Sequence, residues 1–340
     1  MFQVPGYTII RHLNTGGFGH VHLARRDLDG LQVAIKFLHH LGDDNLRRFY
    51  REAKLLHQQL GNPHVVRLFH SDFQGETPHI VMEYCAGGSL RSWVGKNVDW
   101  LEIVFALSNA AAGLSKIHEL DGFHRDIKPD NLLVAQNDDG SKTIKVGDFG
   151  VARVPQTTAQ GMTRSAWGTE GYMAPELSLG KTYSTECDVY SLGITGIELL
   201  TGVRNPAKLV GLVEIPQQLR EVLLLMSHVR ANYRPTIEVC RQILVSIGQT
   251  EHARRQELAT KAEATRIRQM LDRQAQQDAH QARLQRARQT EARQAAGAGL
   301  SLGAFAVLVA GGIALANMNS RDGGGRWRGS DGKFRSGRWG

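Results

Sequence analysis

The chain has 340 residues, three cysteines and a formal net charge of +8. That length allows one large or two ordinary domains with a real core, and Cys85, Cys187 and Cys240 stand too far apart for a CxxC pair, which excludes a disulfide framework or a cysteine zinc site and fits a reducing compartment. The excess charge is C-terminal: residues 250–296 carry ten Lys/Arg against six Asp/Glu and residues 317–340 six against two, so the first 249 residues are near neutral and nucleic acid is not an expected partner for them.

The start, MFQVPGYTII, shows no charged stretch followed by an apolar run, so no secretory leader is expected. YTIIRHL (7–13), HVHLAR (20–25) and QVAIKFL (32–38) read as strands, with a glycine-bearing loop between the first two. DDNLRRFYREAKLLHQQLG (43–61) reads as a helix capped by Asp43 or Asp44, with Gly61 after its end. VVRLF (65–69) and HIVMEY (79–84) return to strand character. DWLE offers a capping box, Asp99 with Glu102, before the apolar run Ile103–Leu120, and Gly122 is the expected stop. A β-rich first part therefore precedes a helix-rich second part.

Beyond residue 249 the composition changes. Residues 250–296 are rich in Arg, Gln, Ala and Glu, without Pro or Gly until Gly297, and predict one long helix. Its apolar positions, Leu258, Ile267, Met270, Leu271 and Leu284, keep no strict heptad, so a solvated single helix and a weak coiled coil both stand. AAGAGLSLGAFAVLVAGGIALA (295–316) carries no charge and is long enough to cross a bilayer. The alternative is a buried terminal helix; the polar spacer before it and the basic residues on both flanks favour the membrane. Gly299 and Gly303 form a GxxxG step through which two copies would pack. The tail 317–340 is basic, Gly- and Arg-rich, with Trp327, Phe334 and Trp339. It reads as a disordered tail, with anionic lipid or nucleic acid as alternative ligands.

The chemistry is concentrated in four places. LNTGGFGHV (13–21) holds glycines whose N–H groups can approach phosphate oxygens, though no Gly-Lys-Ser/Thr follows, which excludes a Walker loop. Lys36 ends an apolar strand and needs an anionic partner there, a ligand phosphate or Glu52 on the next helix. GFHRDIKPDNLLV (122–134) packs Asp126, Lys128 and Asn131 together: a carboxylate able to take a hydroxyl proton, an ammonium able to steady a transferring phosphoryl group, and an amide oxygen suited to a hard cation. VGDFG (146–150) adds Asp148, a second carboxylate, suited to the same cation.

With REAKLL (51–56), MAPE (173–176), DVYSLGI (188–194) and RPT (234–236) following in order, residues 7–248 resemble a eukaryotic-type (Hanks-type) serine/threonine protein kinase. The layout resembles its bacterial membrane-anchored members. The resemblance implies an α+β, bilobal fold with a β-rich N-lobe and a helical C-lobe. The domain plan is a kinase domain 1–248, a helical spacer 249–294, a transmembrane helix 295–316 and a tail 317–340.

The resemblance also assigns roles. Leu13, Asn14, Gly16, Gly17, Phe18 and Gly19 would cover the nucleotide. Lys36 would hold the α- and β-phosphates of ATP and pair with Glu52. Val21, Ala34 and Leu133 would sandwich adenine, with Met82 guarding the back pocket and Glu83 to Cys85 forming the hinge. Asp126 would be the catalytic base, assisted by Lys128, and Asn131 and Asp148 would bind Mg2+. Leu56, Leu68, His124 and Phe149 would form a stacked spine anchored by Asp188, and Glu176 would pair with Arg234. Lys128 and Thr169 are the forms usual in kinases of serine and threonine, with dual specificity as the alternative. Arg125 would meet a phosphate on the activation segment 148–176, at Thr163 or Ser165. Two departures stand out. Asn14 replaces the first loop glycine, for which its tolerance of positive φ is expected to compensate in part. The segment after DVYSLGI is short, which leaves the peptide groove in doubt.

The expected activity is ATP- and Mg2+-dependent phosphorylation of protein Ser/Thr hydroxyls, with autophosphorylation. The expected partners are ATP, protein substrates, membrane lipid through 295–316 and a second copy of the chain. The expected location is a single pass through the cell membrane with the kinase domain cytoplasmic, or alternatively the cytoplasm itself. The rival reading is a pseudokinase scaffold of the same fold.

Overall fold

A computed structural model of the chain describes residues 3–16, 19–38, 50, 53–54, 57–58, 61–74, 77–137, 139–148 and 169–297. It divides into two units, Met1–Ala253 and Arg254–Gly340.

The first unit opens with an antiparallel sheet of five strands: β1 (Tyr7–Gly16), β2 (Gly19–Arg26), β3 (Gln32–Leu38), β4 (Leu68–Asp72) and β5 (His79–Glu83), ordered β1-β2-β3-β5-β4. β3 lies in the middle and is buried on both faces. Val33, Ile35 and Phe37 join Ala24 and Val81 in one apolar cluster, while Ala34 and Leu38 join Ile80 and Met82 in another. This two-sided burial is why QVAIKFL is almost continuously apolar, and the strand's period of two gives Lys36 the parity of Ala34 and Leu38.

β4 starts later than VVRLF suggests. Val65 and Val66 are buried, but their backbone turns away from the sheet: the Val66 N–H donates to the Val146 carbonyl (3.0 Å) and the Val146 N–H donates to the His64 carbonyl (2.9 Å). In the expected helix 43–61, the described positions Tyr50, Ala53, Lys54, His57 and Gln58 are helical, and Gly61 follows at φ +87°. The caps at Asp43 or Asp44, together with Glu52 and Leu56, lie outside the described residues.

The helical half begins with α1 (Trp100–Glu119), capped as expected, the Asp99 carboxylate accepting from the Leu101 N–H at 3.0 Å. The stop differs from expectation. Asp121, not Gly122, takes the left-handed conformation (φ 53°), with its N–H on the His118 carbonyl and that of Gly122 on Ile117 (both 3.0 Å). This is a Schellman ending, and Asp tolerates the left-handed position better than most residues. A two-stranded sheet of β6 (Leu132–Gln136) and β7 (Lys142–Val146) follows, then α2 (Pro175–Ser178), α3 (Thr185–Thr201), α4 (Gln217–Met226) and α5 (Ile237–Gly297). Buried side chains surround α3 on most sides, which makes it the axis of the helical half. The sheet-rich start and helix-rich remainder agree with the expected α+β, two-lobed plan.

The expected spacer helix is part of α5, which starts at Ile237 and passes through Gly248 without a break. A side chain at 248 would crowd the Phe105 ring at 3.1 Å, so glycine answers a close approach there. In the second unit the described helical residues are exposed almost throughout, Leu258, Ile267, Met270, Leu271 and Leu284 included. Among the described residues no helix is long and apolar enough to cross a membrane. Residues 298–340, which hold most of the uncharged stretch, both GxxxG glycines and the tail, lie outside the described residues.

Glu176 and Arg234 form a buried, two-pronged ion pair (2.7 and 2.8 Å) between α2 and the loop before α5. Burial works against the Glu176 charge, but the guanidinium prevails and holds the carboxyl below its ordinary pKa. Arg234→Met leaves that carboxylate buried and alone, so a loss of about 3–5 kcal/mol is expected in urea unfolding. The double variant with Glu176→Gln should recover part of it.

Candidate active site

The loop carrying Asp126 hangs on a buried carboxylate. Asp188, near the start of α3 and fully buried, accepts from the backbone N–H groups of His124 and Arg125 (both 2.9 Å), from the Tyr183 hydroxyl (2.7 Å) and from His118 Nε2 (3.0 Å). Burial alone would raise its pKa, but these donors, His118 foremost, outweigh that and bring it down to about 2. The backbone passes through a left-handed residue at Arg125 (φ 72°), a conformation that costs energy for a residue with a side chain. Two hydrogen bonds on adjacent N–H groups hold the chain in it, and Asp126 is the next residue.

Around Asp126 the donors converge. Its Oδ1 accepts from the Thr169 N–H (3.0 Å) and hydroxyl (2.7 Å). Its Oδ2 accepts from Lys128 Nζ (2.7 Å) and Asn131 Nδ2 (3.1 Å). Lys128 Nζ also donates to the Thr169 hydroxyl (2.6 Å). The Asn131 amide nitrogen makes a second bond, to the Asp126 carbonyl (2.7 Å), which leaves the amide oxygen as the end able to face an ion. The Asn131 carbonyl accepts from the Gly147 N–H (2.9 Å), so the residue before Asp148 is tied to Asn131.

Asp148 has a left-handed backbone (φ 59°), and its carboxylate meets Lys36 Nζ at 2.8 Å. Lys36 is 6% exposed, so an anionic partner is required, and the partner found is Asp148, 112 residues away. Loss of hydration would raise the Asp148 pKa, but the Lys36 ammonium dominates and holds the carboxyl below its ordinary value. The expected Lys36–Glu52 pair lies outside the described residues.

The apolar residues expected around the nucleotide belong to the core. Ala34, Met82 and Cys85 are core residues, and Leu13, Val21 and Leu133 pack against the same core. Ala34 stands opposite Met82 and Val21 opposite Lys36 in the sheet registers. Burial, reinforced by Glu83, pushes the Cys85 thiol up to about 12, so it is an inert packing group. In the glycine loop, Gly16 pairs with Gly19, where any side chain would run into the Phe37 carbonyl. Gly17 and Phe18 lie outside the described residues.

One expectation changes. Asn14 is an ordinary strand residue opposite Val21 and not a positive-φ position, because β1 continues extended through the loop's first arm. The Arg125 guanidinium lies over the rings of Phe123 (5.6 Å) and Tyr183 (5.0 Å). Phe149, Thr163 and Ser165 lie outside the described residues.

Several site residues escaped sequence reasoning. His118 and Tyr183 complete the Asp188 cluster. Arg91, from a short turn at Leu90–Trp93, donates to Asp130 (2.7 Å), Tyr172 (2.7 Å) and Glu198 (3.1 Å), and Tyr172 in turn donates to Glu198. This network braces the segment after Thr169 against the Asp126 loop and α3. Only Asp130, inside the HRDIKPDN run, carried a signal. A separate cleft of about 680 Å³, lined by residues such as His64, Lys116 and Arg241, does not include the Asp126 cluster.

Residues 7–281 match the family described as protein kinase domain. The chain belongs to the protein kinase family. Among curated relatives it is similar to serine/threonine-protein kinase Pkn1 of Myxococcus xanthus, 35% identical over 58% of this chain and 29% of the relative. It is similar to serine/threonine-protein kinase PrkC of Bacillus subtilis, 34% identical over 58% of this chain and 30% of that one. Serine/threonine-protein kinase ATG1c of Arabidopsis thaliana matches at 32% over 60% of this chain and 28% of the relative. The matched region thus spans under a third of these relatives' own length. The relatives so matched are serine/threonine-protein kinases of bacteria and a plant.

The Asp188 cluster predicts an acid limb of stability. The folded pKa, about 2, lies below the ordinary 3.8, so the stabilisation is fully present above about pH 4 and is lost as pH falls toward 2. Urea unfolding of wild type and Asp188→Asn should show a stability gap that shrinks as pH falls below about 4.

Proposed function

We propose that this protein is an ATP- and Mg2+-dependent serine/threonine protein kinase. The observation that carries the reading is the convergence of Asp126, Lys128, Asn131 and Thr169 in one hydrogen-bonded cluster, with Asp148 tied to it through Gly147 and paired with buried Lys36. The donor set suits Mg2+: a carboxylate at Asp148 and an amide oxygen at Asn131 are hard oxygen ligands, and such an ion takes one or two protein oxygens and fills its shell with water and phosphate. Bound there, the ion supplies charge neutralisation for the triphosphate.

The protein groups then divide the work. Lys36 holds the α- and β-phosphates. The acceptor hydroxyl comes within reach of the Asp126 carboxylate, whose orientation is fixed from both oxygens. As the hydroxyl oxygen bonds to the γ-phosphorus, the bond to the β–γ bridging oxygen breaks, ADP leaves and the hydroxyl proton passes to Asp126. Lys128 has three N–H donors, and the one not directed at Asp126 or Thr169 can meet a γ-phosphoryl oxygen. Lys128 and Thr169 favour serine and threonine as acceptors.

The full chain should transfer phosphate from ATP to a generic Ser/Thr substrate or to itself. Asp126→Asn should lower kcat by about 10²–10⁴-fold while retaining ATP binding. Equal turnover by both proteins would sink the enzyme reading and leave a nucleotide-binding scaffold.

The reading extends to the C-terminal region. Residues 295–316 serve as a single membrane span, with the kinase domain on the cytoplasmic, ATP-containing side, and pairing of two copies through Gly299 and Gly303 promotes phosphorylation in trans at Thr163 or Ser165. The support is the uncharged stretch and its basic flanks. The full chain should enter the detergent-extracted membrane fraction, and a chain ending at residue 294 should not. Recovery of both in the aqueous fraction would remove the span.

A further inference from the structure

The strand that presents Asp148 also carries a lysine that the phosphotransfer reading leaves without a task. Lys145 on β7 has its side chain 12% exposed, and its ammonium lies 2.9 Å from Glu83 Oε2. Glu83 is the last residue of β5, where the chain leaves the sheet for the hinge. Its carboxylate also accepts from the Arg67 N–H (3.2 Å), and its own N–H donates to the Arg67 carbonyl (2.9 Å). The Glu83 side chain is therefore drawn back toward β4 and β7.

Lys145 is also the cross-strand partner of Leu133. Next to Leu133 the hinge is fastened a second time. Ser89 bridges to Leu133, the Gly87 N–H donates to the Val134 carbonyl (3.0 Å), and the Val134 N–H donates to the Gly88 carbonyl (2.8 Å). One ion pair thus joins the end of β5 to the strand running into Gly147 and Asp148, while backbone bonds hold the far end of the hinge on β6.

We propose that Lys145 is a positioning residue for the nucleotide, acting through Glu83. This rests on the reading of the cluster as an ATP site. The Lys145–Glu83 pair fixes the hinge backbone at 83–85 relative to Leu133, so that the adenine edge meets a preformed set of backbone groups and a fixed apolar floor. The physical reason is partial burial: two charges drawn out of water hold each other more strongly than a surface pair, and the loss of either leaves the other poorly solvated. A rigid hinge lowers the ordering cost of binding. Lys145 touches neither phosphate nor acceptor in this arrangement, so its influence falls on nucleotide affinity rather than on the transfer step.

The test uses the full chain, with KM for ATP and kcat measured at saturating peptide, and ATP·Mg2+ binding read separately by thermal shift. Lys145→Met keeps the unbranched stem and removes the charge. It should raise KM for ATP about 3- to 10-fold with kcat within about twofold. Glu83→Gln should raise KM similarly, and the double variant should be no worse than either single one, the signature of a coupled pair. Lys145→Arg should retain wild-type KM; it also keeps the test open if Lys145→Met does not fold. An unchanged KM in Lys145→Met, or additive effects in the double variant, overturns the proposal. A wild-type chain that shows no ATP·Mg2+ shift overturns the ATP-site reading itself, and the proposal with it.

Discussion

The geometry of this site depends on a carboxylate that never meets solvent. Asp188 fastens two consecutive backbone N–H groups, and through them it holds Arg125 in a left-handed conformation that an isolated chain would leave. Asp126 follows directly, so the direction of the central carboxylate is set from behind by a residue on another helix. His118 from α1 and Tyr183 from the segment before α3 fix that anchor in turn. The anchor works only while ionised, because its donors are oriented to an acceptor that carries no proton.

A second constraint acts between the sheet and the Asp126 loop. Lys36 is buried by the same alternation that buries the rest of β3, and an ammonium in that position demands an anion. Asp148 supplies it from the end of β7, and β7 is tied to the loop before β4 by backbone bonds at Val66 and His64. The strand carrying the cation and the strand leading to the carboxylate thus meet across a paired charge. In the proposed mechanism Lys36 serves the phosphates and Asp148 the metal, so their pairing brings the two roles to one place.

Much of the fold was legible in order, because each segment's pattern is local. QVAIKFL matched β3 residue for residue, and Asp99 capped α1 as its side chain predicts. Boundaries failed where a distant partner decided them. Val65 and Val66 have strand composition, yet their backbone bonds go to the segment around β7. Gly122 looked like the stop for α1, but the left-handed position fell on Asp121, since the closing bonds count from the helix's last turn.

By itself the sequence determined the order of the elements and the residue types of the site: Lys36, Asp126, Lys128, Asn131 and Asp148 follow from spacing and motif. It also determined the break in composition near residue 249, which no core is needed to see. Only the tertiary structure decided partnerships. That Lys36 meets Asp148, that Asp188 holds the backbone before Asp126, and that Arg91 gathers Asp130, Tyr172 and Glu198 are all long-range facts. Spacing along a chain fixes neighbours only within a helix turn or a strand register, whereas charges a hundred residues apart find each other through the packing of the elements that carry them.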